Sequence, residues 1–403
     1  MFGVDGSLKR LTAVAIVGLA ATGCGTGPER MAVPAALAAD ASVPDMADIR
    51  AWGDAPYSRA LLVPELPKLK ASYDAMAKAG RPVSADLLAL SGGADDGAFG
   101  AGLLVGWGKR GDRPEFGLVT GISAGALIAP FAFLGREYDR QLTAVFTTYG
   151  SDQIYQANIL PGLLGGSALA DSSPLKHLID RHVDARMLRR IAEERAKGRF
   201  LLVGTTNIDA QRPVYWDMGR IAQRGDRRSA ELFRKVLLAS AALPGLFPPV
   251  HFDVVAGGKR YEEMHVDGGA THGVFLSPAE FSFREIDQAV GRKVRRRLWV
   301  VRNGKLAPEY RVTNETTLAI AQRSLETLSR SQGLGDLARM YTKAKADDIE
   351  FRLAAIPEDF HAPRPAPFDN GYMKALFALG ERLGREGYPW AALPPEVAVR
   401  HAK

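Results

Sequence analysis

A serine flanked by glycines two residues away on either side, Gly121 and Gly125 in FGLVTGISAGAL (116–127), is the clearest chemical feature of this sequence. The short apolar run before it, 116–120, suits a buried strand, and the alanine- and leucine-rich run after it, 124–134, suits a helix. A strand that turns directly into a helix at G-x-S-x-G forces Ser123 into a tight backbone, with glycines where a side chain would collide. The turn exposes the hydroxyl and aims the helix N-terminus at it. Ser123 then reads either as a nucleophile or as an ordinary helix cap.

A second glycine cluster, SGGADDGAFGAG (91–102), follows the strand-like DLLAL. Its backbone N–H groups can converge on a phosphate or on the oxyanion of an acyl-transfer intermediate. No Gly-Lys-Ser/Thr follows, which excludes a Walker loop, and the spacing does not suit a dinucleotide fingerprint. Asp95 and Asp96 offer oxygen ligands for a cation. A solvated helix start is the simpler expectation for them, because carboxylates suit a helix N-terminus. A nucleophilic serine needs a base, and RYEEMHVDGGATHG places Asp267 after a strand-like run and before Gly268 and Gly269. A carboxylate works as a base only where the site desolvates it or limits the hydrogen bonds it accepts.

The elements that must hold these groups alternate. Strand candidates at 86–93, 116–120, 200–207, 296–304 and 349–356 are separated by helical stretches, which predicts a mostly parallel sheet covered on both faces. Ligands of such sheets bind at the carboxyl ends of the strands, where both glycine motifs fall. Leu318, Leu325 and Leu328, and Tyr372, Leu376, Leu379 and Leu383, recur at helical spacing and are expected to face the core. ILPGLLGG (159–166) reads as an acyl-channel lining or lid, or as a packed connection. The run RKVRRR (292–297) reads as a solvated lead-in to a buried strand.

Seen together, the three motifs and their order resemble the patatin-like phospholipase family, as do GTTNIDAQRPVYWDMG (204–219) and ASAALPGLFPPV (239–250). The resemblance spans about 86–369. It implies a three-layer α/β/α sandwich and a serine acyl hydrolase acting on fatty-acyl esters of lipids. Ser123 would be the nucleophile, Asp267 its base in a Ser–Asp dyad, and the N–H groups around Gly92, Gly93 and Ala94 the oxyanion hole. Gly97, Gly121, Gly125, Gly268 and Gly269 complete the motifs, and no cofactor or metal is implied. Ala94 replaces a third glycine that the family commonly has, acceptable if its φ is negative. Asp96 stands where a basic residue is frequent. Two rivals remain: a Ser-His-Asp esterase using His272 or His361, and a non-catalytic envelope lipoprotein. His265 reads as a neighbour of Asp267.

The chain has 403 residues, 46% hydrophobic and 24% charged, enough for one large α/β domain. Its formal net charge of +7 is a mild excess over a large surface, so nucleic acid is not an expected partner. Residues 1–24 carry Lys9 and Arg10, an apolar stretch, then small residues ending at Cys24, the sole cysteine. This layout resembles a bacterial lipoprotein signal, in which Cys24 would be lipidated. The expected organisation is a signal at 1–24, a tether and peripheral segment at 25–81, an acyl-hydrolase core at 82–305, and a helical segment at 306–403 completing the same domain. The expected location is the cell envelope, anchored at the outer membrane facing the periplasm, with lipid at the membrane surface as substrate.

Overall fold

A computed structural model describes residues 30–56, 62–157, 168–278, 280–395 and 397. Cys24, its signal segment and the 159–166 stretch lie outside the described residues. Among the described residues, nine strands form the main sheet: β1 (Arg50–Trp52), β2 (Ser84–Leu90), β3 (Phe116–Ile122), β4 (Phe200–Asn207), β5 (Arg212–Asp217), β6 (Val250–Ala256), β7 (Lys259–Asp267), β8 (Arg295–Arg302) and β9 (Ile349–Ala355). The strands β9-β8-β2-β3-β4 run parallel, and β5 and β1 extend the β4 side antiparallel. The carboxyl end of β4 also pairs with β7, which in turn pairs with β6.

Alternation of side chains divides the core in two. Leu88, Leu90, Val119 and Val301 face one layer of helices: α2 (Gly97–Arg110), α3 (Ala124–Leu134), α4 (Asp139–Thr147), α5 (Ser173–His182), α6 (Arg227–Ser240) and α9 (Asn370–Glu386). Leu87, Ala89, Leu118, Leu298 and Val300 face the other layer: α1 (Leu66–Lys78), α7 (Phe283–Val290) and α8 (Thr317–Ala346). The result is the three-layer α/β/α sandwich.

Three expectations are corrected. From Arg30 onward the segment read as a tether packs closely: Ile49 is fully buried, Arg50 pairs with Glu263 at 2.5 Å, and β1 completes the sheet. The basic run 292–297 is only partly solvated, because Arg296 is buried against Asp287 at 2.6 Å. On α8, Leu325 and Leu328 are 56% and 65% exposed, so these two leucines do not face the core. The stripe on α9 does: Leu376 is buried, and Tyr372, Leu379 and Leu383 pack at its margin.

The layer beside β2 rests on a close helix crossing. A Cβ on Gly102 or Gly106 of α2 would overlap the carbonyls of Phe377 and Glu381, and one on Gly380 or Gly384 of α9 would overlap those of Phe99 and Leu103. Backbone atoms there have no room to yield, so these glycines serve packing and not anion binding. Gly106→Ala and Gly384→Ala are each expected to destabilise the protein by about 1–3 kcal/mol. Urea denaturation measures this, and an unchanged midpoint would contradict the close crossing.

Candidate active site

β3 ends at Ile122, paired with Gly204 of β4, and the next residue of β4, Thr205, pairs with Asp267 at the end of β7. Ser123 and Asp267, far apart in sequence, therefore stand side by side at the carboxyl edge of the sheet. Gly268 fits beneath them because a Cβ there would come within 2.6 Å of the Gly204 carbonyl.

Ser123 has φ +53° and ψ −125°, a strained conformation for a non-glycine residue that costs about 1–3 kcal/mol. Two features hold it. A Cβ at position 121 would lie 2.5 Å from the Gly125 carbonyl, so only glycines close this elbow. The Ser123 N–H donates to Ser240 Oγ at 3.0 Å, and the Ser240 hydroxyl donates to the Gly204 carbonyl at 2.7 Å. Sequence reasoning assigned Ser240 no role. Its signal was a lone hydroxyl in an apolar helix end, inside the stretch ASAALPGLFPPV.

Asp267 is 1% exposed. Its Oδ1 accepts the Gly269 N–H at 2.6 Å, while Oδ2 is buried with no fully formed hydrogen bond. Burial pushes its pKa up to about 7, and the nearby Ser123 hydroxyl and the Gly269 N–H pull it partly back. The Ser123 hydroxyl influences the carboxyl without meeting full hydrogen-bond geometry.

The histidines stand elsewhere. His265 is fully buried, with Nδ1 2.9 Å from Thr205 Oγ1 and Nε2 3.1 Å from Glu263, so it braces β7. His272 packs toward Tyr215, with ring centroids 6.3 Å apart. His361 is exposed. Among the described residues, no histidine acts on the Asp267 carboxyl.

The glycine-rich loop differs from expectation in three ways. The Gly92 N–H donates to the Gly273 carbonyl at 3.0 Å and is engaged, which leaves the N–H groups of Gly93 and Ala94 without backbone acceptors among the described residues. Ala94 has φ +51°, not the negative value under which an alanine fits without strain. Asp95 and Asp96 form no solvated helix start. Asp95 is buried, and its Oδ2 accepts from Arg364 Nε at 2.8 Å and from the Phe368 N–H at 3.0 Å. Tyr372 donates to Asp96 at 2.6 Å, and burial pushes Asp96 up to about 6 against the pull of Arg364 and Tyr372. Gly97 opens α2, where a Cβ would come within 2.7 Å of Ala124 Cβ.

A narrow apolar slot of about 80 Å³ adjoins Ser123 and Ala94, walled by Leu127, Phe131, Phe146, Leu175, Phe247 and Phe368. A larger cavity of about 440 Å³ lies under α1, at the opposite ends of the strands, with Gly117 and Phe200 in its wall. Size alone would favour it, but of the two cavities it is the slot that Ser123 lines.

Residues 88–279 match the family model for patatin-like phospholipases, and the chain carries a patatin-like phospholipase domain. A domain of this family makes it, in general terms, a lipid acyl hydrolase. A solved structure, VipD from Legionella pneumophila, overlaps 76% of this chain and 68% of its own at 14% identity, with a TM-score of 0.33. No curated protein matches the chain.

Ser240→Ala leaves the Ser123 N–H buried without an acceptor. It is expected to lower stability by about 1–3 kcal/mol and to reduce kcat more than it raises KM. Denaturation curves and steady-state kinetics check both, and an unaltered kcat would show that the elbow does not need the bridge.

Proposed function

We propose that the protein hydrolyses fatty-acyl esters of lipids through an acyl-enzyme on Ser123, with Asp267 as the base. The observation that carries the reading is a buried carboxyl of pKa about 7 beside a strained, glycine-flanked serine. At neutral pH such a carboxyl is part ionised and holds a proton well enough to return it. The Ser123 Oγ–H proton passes to Asp267 as Oγ bonds to the ester carbonyl carbon. The N–H groups of Gly93 and Ala94 face the developing oxyanion, each donor of this kind contributing roughly a hundredfold or more to kcat. Collapse breaks the ester C–O bond, and Asp267 protonates the departing alcohol. Asp267 then takes a proton from water as it attacks the acyl-enzyme, and returns it to Oγ as the fatty acid leaves. The apolar slot suits the acyl chain. The absence of any histidine partner on Asp267 among the described residues supports the dyad over the Ser-His-Asp alternative.

Activity should depend on pH through Asp267. The base form exists above the raised pKa, so kcat/KM is expected to rise as pH passes through about 7 and to level off above it. Asp267→Asn should abolish turnover, while a fluorophosphonate should label Ser123 in the wild-type protein. A flat profile between pH 5.5 and 8.5, or loss of activity on His272→Ala, would contradict the dyad.

We also propose that Cys24 carries lipid and holds the enzyme at a membrane surface in the cell envelope, on the outer membrane facing the periplasm. What supports this is the signal-like layout of residues 1–24. Among the described residues, no helix is long and apolar enough to cross a membrane. Cys24→Ser should release the protein from the membrane fraction or leave it unprocessed. A processed variant that still fractionates with membranes would oppose lipid anchoring at this residue.

A further inference from the structure

Buried arginines in this fold are matched by carboxylates. Arg195 pairs with Glu65 at 2.5 Å and Asp217 at 3.0 Å, Arg199 with Glu194 at 2.8 Å, and Arg296 with Asp287 at 2.6 Å. Such pairing is what burial of a cation demands. Arg302 and Arg330 depart from it. Arg302 ends β8 and is 9% exposed, yet its Nε reaches only the Lys305 carbonyl at 3.3 Å. Arg330 sits on α8, donating Nη2 to the Leu306 carbonyl at 2.7 Å, while its buried Nε has no hydrogen-bond partner among the described residues. Neither has a carboxylate within ion-pair distance among the described residues. The nearby Asp336 is occupied by the Gly273 N–H at 2.7 Å and by Arg339. Burial, and then the charge of Arg330, lowers the pKa of Arg302, while Asp336 and Asp96 oppose this only from a distance.

The two guanidinium groups adjoin the wall of the candidate active site. Asn303, next to Arg302, donates its N–H to Ser91 Oγ and its Nδ2–H to the Ser91 carbonyl, both at 2.8 Å, and a Cβ on Gly93 would overlap the Asn303 carbonyl. Gly273, which accepts the Gly92 N–H, abuts Gly333 of α8. The Arg302 guanidinium lies where a Cβ on Gly333 would stand. The acyl slot is on the α3 and α4 side of Ser123, and the arginines are on the α8 side. An ester bound at Ser123 with its acyl limb in the slot sends its alcohol limb toward them.

We propose that Arg302 and Arg330 form a subsite for the phosphate oxyanion of a phospholipid headgroup, selecting phospholipids over neutral glycerides. The proposal rests on the acyl-hydrolase reading above. Planar guanidinium donors suit phosphate oxygens, and the missing carboxylate is supplied by the ligand. A lipid source is favoured over free phosphate by the start of α8. Ile320, Leu325 and Leu328 are more than half exposed on the helix that carries Arg330, and Tyr310 and Val312, just before it, are 95% and 78% exposed. Such an apolar cluster suits a lipid surface.

The test uses full-length protein carrying Ser123→Ala, so that turnover does not intervene. Calorimetry compares monomeric dihexanoylphosphatidylcholine with dihexanoylglycerol. Adding Arg302→Gln or Arg330→Gln should weaken phospholipid binding roughly tenfold, the scale of one charge-assisted hydrogen bond, and leave the diacylglycerol unchanged. Gly333→Ala displaces the guanidinium without removing its charge and should act in the same direction, and Arg302→Lys should restore part of the loss. These two variants and Arg330→Gln carry the test if Arg302→Gln does not fold. Equal losses for both ligands, or unchanged phospholipid affinity, would overturn the subsite. Inorganic phosphate binding as tightly as the phospholipid would overturn the lipid assignment. If wild-type protein hydrolyses neither ester while phospholipid binding still depends on Arg302, the catalytic reading fails and the subsite stands.

Discussion

Burial of one carboxyl beside one hydroxyl is the constraint around which this molecule is arranged. An aspartate in water holds its proton too weakly to serve as a base near neutral pH. Asp267 is enclosed and given a single backbone donor, and its pKa rises to about 7. Enclosure requires β7 to run past the end of β3 and pair with β4, which sets Asp267 opposite Thr205 and one step beyond Ile122. The Thr205–His265 hydrogen bond between β4 and β7, and the Asp267 N–H bond to the Ala242 carbonyl that anchors the end of β7, are both buried. The histidine on the same strand thereby becomes a brace.

Two of the backbone positions under strain lie at the candidate site. Ser123 and Ala94 both hold positive φ, and each is locked by packing that glycine neighbours permit. Ser240 ties the Ser123 backbone to β4, and Asn303 ties the glycine-rich loop to β8. An element displaced at either tie would relax the strain and shift Ser123 relative to the glycine-rich loop. Arg364 adds a third tie, clamping Asp95 from a loop just before α9, so the C-terminal segment is part of the site's scaffold. The close α2–α9 crossing then sets the position of that loop relative to Ser123.

What the sequence by itself determined was local. Strand, elbow and helix at 116–134, the glycine-rich loop after β2 and the Asp-Gly-Gly turn after β7 follow from short-range steric demands, which a few adjacent residues express completely. The order of the three motifs, with the strand–helix alternation, was enough for the layered fold and for both Ser123 and Asp267 as candidates. The tertiary structure decided whatever depends on partners distant in the chain. It took the Gly92 N–H for Gly273, bent Ala94 to positive φ, paired Asp95 with Arg364, and packed residues 30–56 against the sheet with 50–52 as a strand of it. It buried Arg296 while exposing Leu325 and Leu328, because the same residue type is core or surface according to what packs against it. Among the described residues, it also left Arg302 and Arg330 without carboxylates within ion-pair distance. Desolvation and charge pairing are properties of an enclosed space, and that space exists only once strands far apart in sequence have closed around it.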